Sequence, residues 1–330
     1  MTDSRTAAPF HALRELEHDF WRAPSAHNTQ PWVLRYGPDG VEIGWDPERA
    51  LPVSDPTGRD LRLGLGAFVE CCLIVCADAG IAVDFEPGHR ERDLRVGRLV
   101  ASAAPYATPF SAEDVRRRGS SRVPYEPGRL PEPVVEELLQ EAEQESGGAV
   151  RLLPCRDLTR LLRAADRHQF GTPEVVTELR EWMRLTPSHP RYRLDGLTDR
   201  ALALGRTEAL GLRAALSPAA YGVLRHLGLP YLLAAASGGL LDYDGDVLVL
   251  VAPPGCDADG QVAMGRVLLR QMLHLARHGL STHPLSQIID APATRDGLAA
   301  LLGVDAPDRL LHVARAGRPI GPAARSARIV

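Results

Sequence analysis

The chain has 330 residues, of which 45% are hydrophobic and 24% are charged, and this composition is typical of a globular protein with one large or two ordinary domains. The net charge of −4 gives no electrostatic reason to expect nucleic acid or an anionic membrane as a partner. All 38 basic residues are arginine, since the chain contains no lysine. This excludes a Schiff-base lysine and a P-loop lysine, and it leaves arginine as the side chain that would bind a phosphate.

The chain shows no signal for a membrane or for secretion. No apolar run approaches the roughly 18 residues that a membrane-spanning helix needs. Residues 1–14 mix polar and charged side chains, which is unlike a secretory signal peptide. We therefore expect a cytoplasmic protein with no membrane partner.

The first hundred residues alternate between helix and strand patterns. Residues 61–79 are apolar on nearly every face and are followed by Gly80, which predicts a helix buried at the centre of the fold. The turn residues Gly37-Pro38-Asp39-Gly40 predict a hairpin between two alternating runs. The predicted elements are a helix over 10–22, strands over 32–36 and 41–45, the helix over 61–79, and strands over 81–85 and 96–102.

An irregular, proline-containing stretch over residues 104–110 separates this part from the rest, and we place a boundary between two halves there. A helix is predicted from about Ala112, and Asp257 or Asp259 is the expected N-cap of a helix over 261–278. Residues 168–240 predict either a helical lid over a pocket or a plain helical insertion. The remaining predictions are helices over 138–145, 158–165 and 295–302 and strands over 150–153, 247–251 and 310–314. This alternation predicts the α+β class.

The segment Ala23-Pro24-Ser25-Ala26-His27-Asn28-Thr29-Gln30-Pro31-Trp32 is the most specific motif in the chain. Pro24 stiffens the loop. Ser25 and the backbone at Ala26 offer short hydrogen-bonding groups that suit a ligand with a flat ring. The Asn28 side-chain amide can both donate and accept hydrogen bonds, so it suits the edge of a ligand on which donors and acceptors alternate. The alternative is an ordinary turn between a helix and a strand.

A second motif, Arg118-Gly119-Ser120-Ser121-Arg122, lies about 90 residues further on. Two arginine forks and a hydroxyl group suit a phosphomonoester. Alone this segment is weak evidence, because arginine is common throughout this chain.

Together the two motifs resemble those of the nitroreductase superfamily. In that family an R-x-S-x-R segment holds the phosphate and ribityl chain of FMN, and a P-S-x-x-N-x-Q-P-W segment of the partner subunit borders the isoalloxazine. Here both lie in one chain in reversed order, which resembles the Acg-type branch of the family. The resemblance implies a nitroreductase-like α+β fold in which two pseudo-symmetric halves, residues 1–103 and 104–330, form an intrachain pseudo-dimer.

The resemblance also implies a set of FMN-binding residues. Gly119 stands where the family usually has a basic or polar residue, so one contact of the pattern is missing. The residues implied are Pro24, Ser25, Ala26, Asn28 and Gln30 at the ring, Arg118, Gly119, Ser120 and Arg122 at the phosphate, Ser286 and Gln287 near flavin N5 and O4, and Arg325 of the C-terminal tail. Since only one site keeps both motifs, we expect one FMN per chain and function as a monomer, and higher oligomers stay open as an alternative.

The implied activity is an FMN-dependent oxidoreductase that transfers a hydride between NAD(P)H and a small organic substrate. Two alternatives stay open: a protein that sequesters FMN with little turnover, and a biosynthetic dehydrogenase that uses O₂ as acceptor. The pattern assigns no catalytic residue, and Tyr221, Tyr231 and His283 are candidate proton donors by chemistry alone. We expect no metal, because His274 and His278 are spaced as a ligand pair but lack an obvious third ligand.

Overall fold

The computed structural model describes residues 8–322 and 324–329, so residues 1–7, half of the polar N-terminal stretch, lie outside the described part. The first sheet has the strand order β1-β2-β4-β3, and every neighbouring pair is antiparallel. Its elements and the helices around it are α1 (Ala8–Ala12), α2 (Glu17–Phe20), β1 (Trp32–Gly37), β2 (Gly40–Trp45), α3 (Arg59–Asp78), β3 (Val83–Arg90), β4 (Arg95–Ala101) and α4 (Ala112–Arg117).

The second sheet has the order β5-β8-β10-β9, again antiparallel throughout. Its elements are α5 (Glu132–Ser146), β5 (Ala149–Pro154), α6 (Cys155–Gly171), α7 (Pro173–Trp182), β6 (Met183–Arg184), β7 (Leu197–Thr198), α8 (Arg206–Ala215), α9 (Pro218–Leu224), α10 (Leu229–Ala236), β8 (Asp246–Val251), α11 (Ala258–Arg277), β9 (Ser281–Pro284), α12 (Gln287–Asp290), α13 (Pro292–Leu302) and β10 (Leu310–Gly317). No helix of the described residues is long and apolar enough to cross a membrane.

The two sheets repeat one topology. Each has two strands, then a 20-residue helix, then two more strands, with the last strand inserted next to the second. The helix is α3 in the first sheet and α11 in the second. This confirms the predicted α+β class, and it gives the chain the two similar halves that the motifs imply.

The helices α3 and α11 cross at very short range. A Cβ atom built on Gly66 would lie 1.9 Å from the carbonyl oxygen of Val262, and one built on Gly265 would lie 2.3 Å from that of Leu63. Only glycine lets two helix backbones approach this closely. Buried residues cover almost the whole surface of α3, as the apolar sequence pattern predicts.

Residues 155–245, here called the insertion, separate β5 from β8, whereas only a tight turn joins β1 to β2. The buried carboxylate of Asp195 accepts hydrogen bonds from Arg184 of the insertion and from Arg49 outside it, the latter at 2.8 Å. The Glu178 carboxylate accepts from the backbone N–H groups of Val53 and Ser54, each at 2.9 Å. These contacts hold the base of the insertion against the loop that follows β2.

Two local predictions differ from the structure. The helix predicted over residues 10–22 is broken into α1, a 3₁₀ turn over Leu13–Leu16 and α2, and no side chain caps the turn or α2. Ile81 does not begin β3, because its N–H donates to the Cys76 carbonyl and closes the end of α3 around Gly80. At the other long helix, Asp257 is the N-cap, accepting from the Gly260 N–H at 2.8 Å.

The crossing of α3 and α11 generates a stability prediction. Gly66→Ala places a methyl group against the Val262 carbonyl and forces the helices apart, which we expect to lower the free energy of unfolding by about 1–3 kcal/mol. Urea denaturation measures this loss. Gly64→Ala is the matched control in the same helix, because its Cβ would meet only ordinary contacts at 3.7 Å. Equal stability of the two variants would contradict the tight crossing.

Candidate functional site

The loop of the first motif connects α2 to β1 in a strained conformation. His27, Asn28 and Gln30 have φ angles of 48°, 54° and 52°, in the left-handed region that non-glycine residues rarely adopt. The Ser25 hydroxyl stabilises the turn by accepting from the Gln30 N–H at 2.9 Å. Trp32 anchors the end of the loop by stacking on Phe68 of α3, with ring centroids 4.7 Å apart. Such strain concentrates at functional sites.

The second motif runs beside the edge strand β9. The Ser121 N–H donates to the Thr282 carbonyl at 3.0 Å, and the Ser281 hydroxyl donates to the Gly119 carbonyl at 2.8 Å. Backbone pairing therefore fixes this segment as a short extension of the second sheet. The Arg118 side chain reaches the residue just before the first motif and donates to the Arg22 carbonyl at 2.9 Å.

The two motifs line one cavity of about 1350 Å³. Gln30 is the exception among the residues implied by the sequence: it is 1% exposed, and its side chain donates to the Leu194 carbonyl and accepts from the Ile329 N–H. The implied residues that line the cavity are Pro24, Ser25, Ala26, Asn28, Arg118, Gly119, Ser120, Arg122, Ser286, Gln287 and Arg325.

Three arginines, Arg22, Arg118 and Arg328, gather where the motifs meet, and we call them the arginine cluster. Among the described residues none of the three forms an ion pair, and their hydrogen bonds go to backbone carbonyls and to Asn28. The Nε atoms of Arg118 and Arg328 are buried without a partner. Asp19, whose charge reaches Arg22, is itself paired with Arg116 at 2.6 Å.

The electrostatics of the cluster are those of cations that lack an anion. Burial lowers the pKa of Arg118 to about 10. Burial, followed by the charges of Arg118 and Arg22, lowers the pKa of Arg328 to about 9. Burial lowers the pKa of Arg122, whose side chain lines the cavity and donates to the Ala201 carbonyl. A bound anion would remove this unfavourable charge.

The C-terminal tail supplies one member of the cluster that the sequence did not indicate. Arg328 donates to the Asn28 Oδ1 atom at 2.9 Å and to the Arg22 carbonyl at 3.2 Å. Arg325, the tail residue implied by the resemblance, is exposed and lines the cavity, and after burial its charge is the next cause that lowers the pKa of Arg22. The repeated arginine in Arg325-Ser326-Ala327-Arg328 was the available signal, but an irregular tail has no periodicity from which to choose between the two.

Asn28 is already bonded within the protein. Its amide nitrogen donates to the Ala327 carbonyl at 3.1 Å and to the Gly196 carbonyl at 3.4 Å, while Oδ1 accepts from Arg328. The motif loop thereby connects the tail to the insertion. No single-residue pattern could have indicated these partners, which lie 168 and 299 residues away in the chain.

The region of Ser286 and Gln287 forms another wall, where α12 begins. The Gln287 amide donates to Asp166 of the insertion at 3.2 Å. Of the three candidate proton donors only His283 lines the cavity, and its Nδ1 is buried without a partner. Burial, followed by Arg122 and Arg315, holds the pKa of His283 well below its usual value, so the ring is neutral.

The other two candidates lie elsewhere. The Tyr221 hydroxyl donates to the Phe170 carbonyl at 2.8 Å. Tyr231 is 69% exposed, and neither tyrosine lines the cavity. The histidine pair His274 and His278 contacts Glu137, at 3.0 and 3.3 Å, and the described residues hold no group of three or more ligands suited to a metal.

An acidic group that the sequence did not indicate lies at another part of the cavity. Asp55, Asp60 and Asp290 all line it. Arg59 joins two of them, donating to Asp60 at 2.9 Å and to Asp290 at 2.6 Å. Burial, followed by the charge of Asp60, raises the pKa of both Asp55 and Asp290. The cavity thus has acidic side chains as well as the cations at the motifs, and the charge of Asp60 acts on His27 of the first motif.

No protein-family model matches the chain. Two solved nitroreductase structures resemble this chain with TM-scores below 0.4. The FMN-dependent nitroreductase NfnB from Mycobacterium smegmatis in complex with NADPH gives a TM-score of 0.37 at 20% identity, covering 65% of this chain and 95% of that one. The FMN and NADPH-dependent NfnB from sphigopyxis sp. strain HMH gives 0.36 at 19% identity, covering 65% and 93%.

Two curated relatives come from Mycobacterium tuberculosis. The protein named "Putative NAD(P)H nitroreductase Rv3131" is 42% identical over 59 residues, which span 18% of this chain and only 17% of that relative. The protein named "Putative NAD(P)H nitroreductase acg" is 27% identical over 302 residues, which cover 88% of this chain and 85% of the relative. Over nearly its whole length this chain is therefore similar to the Acg-type nitroreductases, as its two motifs predict.

Proposed function

We propose that this chain is an FMN-dependent oxidoreductase that transfers two electrons, as a hydride, between NAD(P)H and a small organic acceptor. The names of the two curated relatives describe those proteins as NAD(P)H nitroreductases. The two motifs and the cavity that they share support a flavin in the present chain. The direction of electron transfer, from NAD(P)H to the acceptor, and the class of substrate are likewise proposed.

The observation that carries the proposal is the arginine cluster without a counter-ion. Buried charges in proteins are normally paired, because an isolated buried cation is costly. Arg118 is 8% exposed and has no carboxylate partner among the described residues. A phosphomonoester is doubly charged and accepts bidentate arginine contacts. The residues present therefore fit the phosphate end of FMN.

The rest of the cavity suits the ring and ribityl chain. Gly64 and Ala67 of α3 form part of the wall next to Pro24 and Ser25, and their small size leaves room for a flat ring. Ser120, which stands between Arg118 and Arg122 in the sequence, also lines the cavity. When bound, FMN would supply the redox chemistry, giving and accepting a hydride at N5. The protein's part is to orient the cofactor and to exclude water.

His27 and His283 are neutral histidines that line the cavity and can take part in proton transfer. His27 lines the cavity, and burial lowers its pKa to about 4. His283 lines it as well and is neutral for the same reason. A neutral imidazole can accept a proton at one ring nitrogen while it releases the proton of the other, so we propose His283 ahead of the two tyrosines as the group that would pass a proton to a substrate.

FMN sequestration with little turnover is a second candidate function. The observation that favours it is that two segments hold the motif loop. The C-terminal tail forms hydrogen bonds with Asn28 and Gln30, and so do the carbonyl groups of Gly196 and Leu194 in the insertion. A site held closed in this way would retain FMN and admit substrate slowly. The two functions differ in whether the bound flavin is reduced by a nicotinamide nucleotide.

The first prediction from this proposal concerns the phosphate. Arg118→Met should weaken FMN binding about 10- to 150-fold, the equivalent of roughly 1.5–3 kcal/mol for a charge-assisted hydrogen bond, while riboflavin affinity stays unchanged. The protein without flavin should be no less stable, because the variant removes an unpaired buried cation. Quenching of flavin fluorescence measures both affinities, and urea denaturation measures the stability.

Arg318→Met is the matched control, because its side chain is 54% exposed, lies 3.8 Å from Glu126 and does not line the cavity. It should bind both flavins like the unmodified protein. Equal losses of FMN and riboflavin in Arg118→Met would show that the phosphate does not bind at the arginine cluster.

The second prediction separates turnover from sequestration. Anaerobic addition of NADH or NADPH to the FMN-loaded protein should bleach the flavin absorbance near stoichiometric amounts of at least one nucleotide. A nitroaromatic or a quinone should then restore the oxidised spectrum. A flavin that stays oxidised with excess of both nucleotides, yet is reduced by dithionite, would refute the oxidoreductase and favour the storage protein.

A further inference from the structure

The cavity is larger than a flavin needs. Its volume is about 1350 Å³, whereas a site for one drug-sized ligand measures roughly 300–1000 Å³. Away from the two motifs, much of the wall comes from the insertion, through side chains of α6, α7, α8 and α10. The space beside the proposed FMN is therefore shaped mainly by a segment that has no counterpart between β1 and β2.

The insertion presents an aliphatic surface to this space. Several of these side chains belong to no hydrophobic core cluster, among them Leu202 and Leu204. Packing of the core therefore does not explain why they are apolar. Leu232 is 67% exposed although it lines the cavity, and a ligand that covered it would remove apolar surface from water. The aliphatic wall residues used here are Val175, Leu179, Leu202, Leu204, Leu212 and Leu232.

The arginine side chains of the insertion lie away from the cavity wall. Residues 155–245 contain twelve arginines, yet none of them lines the cavity as far as the structure describes the chain. The acidic side chains that do line it are engaged: Asp166 contacts Ser237 and Gln287, and Glu208 accepts from the Gly205 N–H at 2.7 Å. An anionic ligand would find no cation on this wall.

We propose that the insertion forms a binding site for an uncharged acceptor that carries an extended aliphatic chain, such as an alkylated quinone. This rests on the proposed function, which supplies the cofactor and the electrons. The aliphatic wall would bind the chain, and the redox ring would lie toward the two motifs.

The proposed reaction balances as follows. A quinone takes up two electrons and two protons to become a hydroquinone. The nicotinamide nucleotide supplies both electrons and one of the hydrogens as a hydride, and it becomes the oxidised nucleotide. The second proton comes from solvent, and His283, proposed above as the proton-transferring group, would pass it to the quinone.

Binding can be measured without turnover. The probes are three benzoquinones with the same dimethoxy-methyl ring, bearing no alkyl chain, a pentyl chain or a decyl chain. Isothermal titration into the oxidised FMN-loaded protein, with no reductant present, gives each affinity. We expect about fourfold tighter binding for each buried methylene, so even a pentyl chain that is half buried should bind at least about 30-fold more tightly than the bare ring.

A charge-matched pair of double variants locates the site. Leu204→Asp with Leu232→Asp places two carboxylates on the cavity wall and should weaken pentyl-quinone binding about tenfold or more, leaving the bare ring within about twofold. Leu210→Asp with Leu227→Asp adds the same charge at side chains that are 55% and 74% exposed and do not line the cavity. This control should bind all three quinones like the unmodified protein, and flavin absorbance should show unchanged FMN content in both.

The outcomes separate the two proposals. If FMN binds but the three quinones have equal affinities, or if both double variants lose affinity equally, the aliphatic site is refuted and the proposed cofactor stands. If the protein binds no FMN, the proposed function fails, and this inference fails with it.

Discussion

The close crossing of α3 and α11 determines how the two sheets face each other. Because Gly66 and Gly265 carry no side chain, the backbones approach to distances that no other residue would permit. The same two helices also form part of the cavity wall, through Leu63 and Gly64 of α3 and Met272 of α11. The joint between the sheets and the wall of the site are thus one structure, and a change in helix spacing would move the two motifs relative to each other.

The charge arrangement around the cavity follows from that joint. Arg118 comes from the segment beside β9, whereas Arg22 precedes the loop into β1, so the crossing brings cations of distant origin together. The tail adds Arg328 over them. The protein alone provides no counter-ion for this cluster among its described residues, and the strained motif loop beside it is held by the tail and the insertion. The unpaired buried cations and the strained loop both lower the stability of the protein without a ligand. An anionic cofactor would compensate the cations.

Local sequence patterns predicted the elements well where one physical cause dominates. The all-round apolar pattern over 61–79 indicated α3, and the Gly37–Gly40 turn indicated the β1–β2 hairpin, because both depend on near neighbours in the chain. Long-range contacts could not be predicted in this way. The partners of Asn28, the ion pair of Asp195 with Arg49, and the position of Arg328 beside Arg22 all depend on tertiary structure. The aliphatic lining of the insertion likewise appears only when its helices are placed around a cavity.

The central claim is that two motifs from different sheets build one complete FMN site in a single chain. The amount and identity of the flavin bound by the purified, FMN-saturated protein test this most directly. Heat-released flavin, separated by chromatography and quantified against protein, should be FMN at one molecule per chain. A ratio near two, FAD in place of FMN, or no retained flavin would contradict a single site assembled from these two motifs.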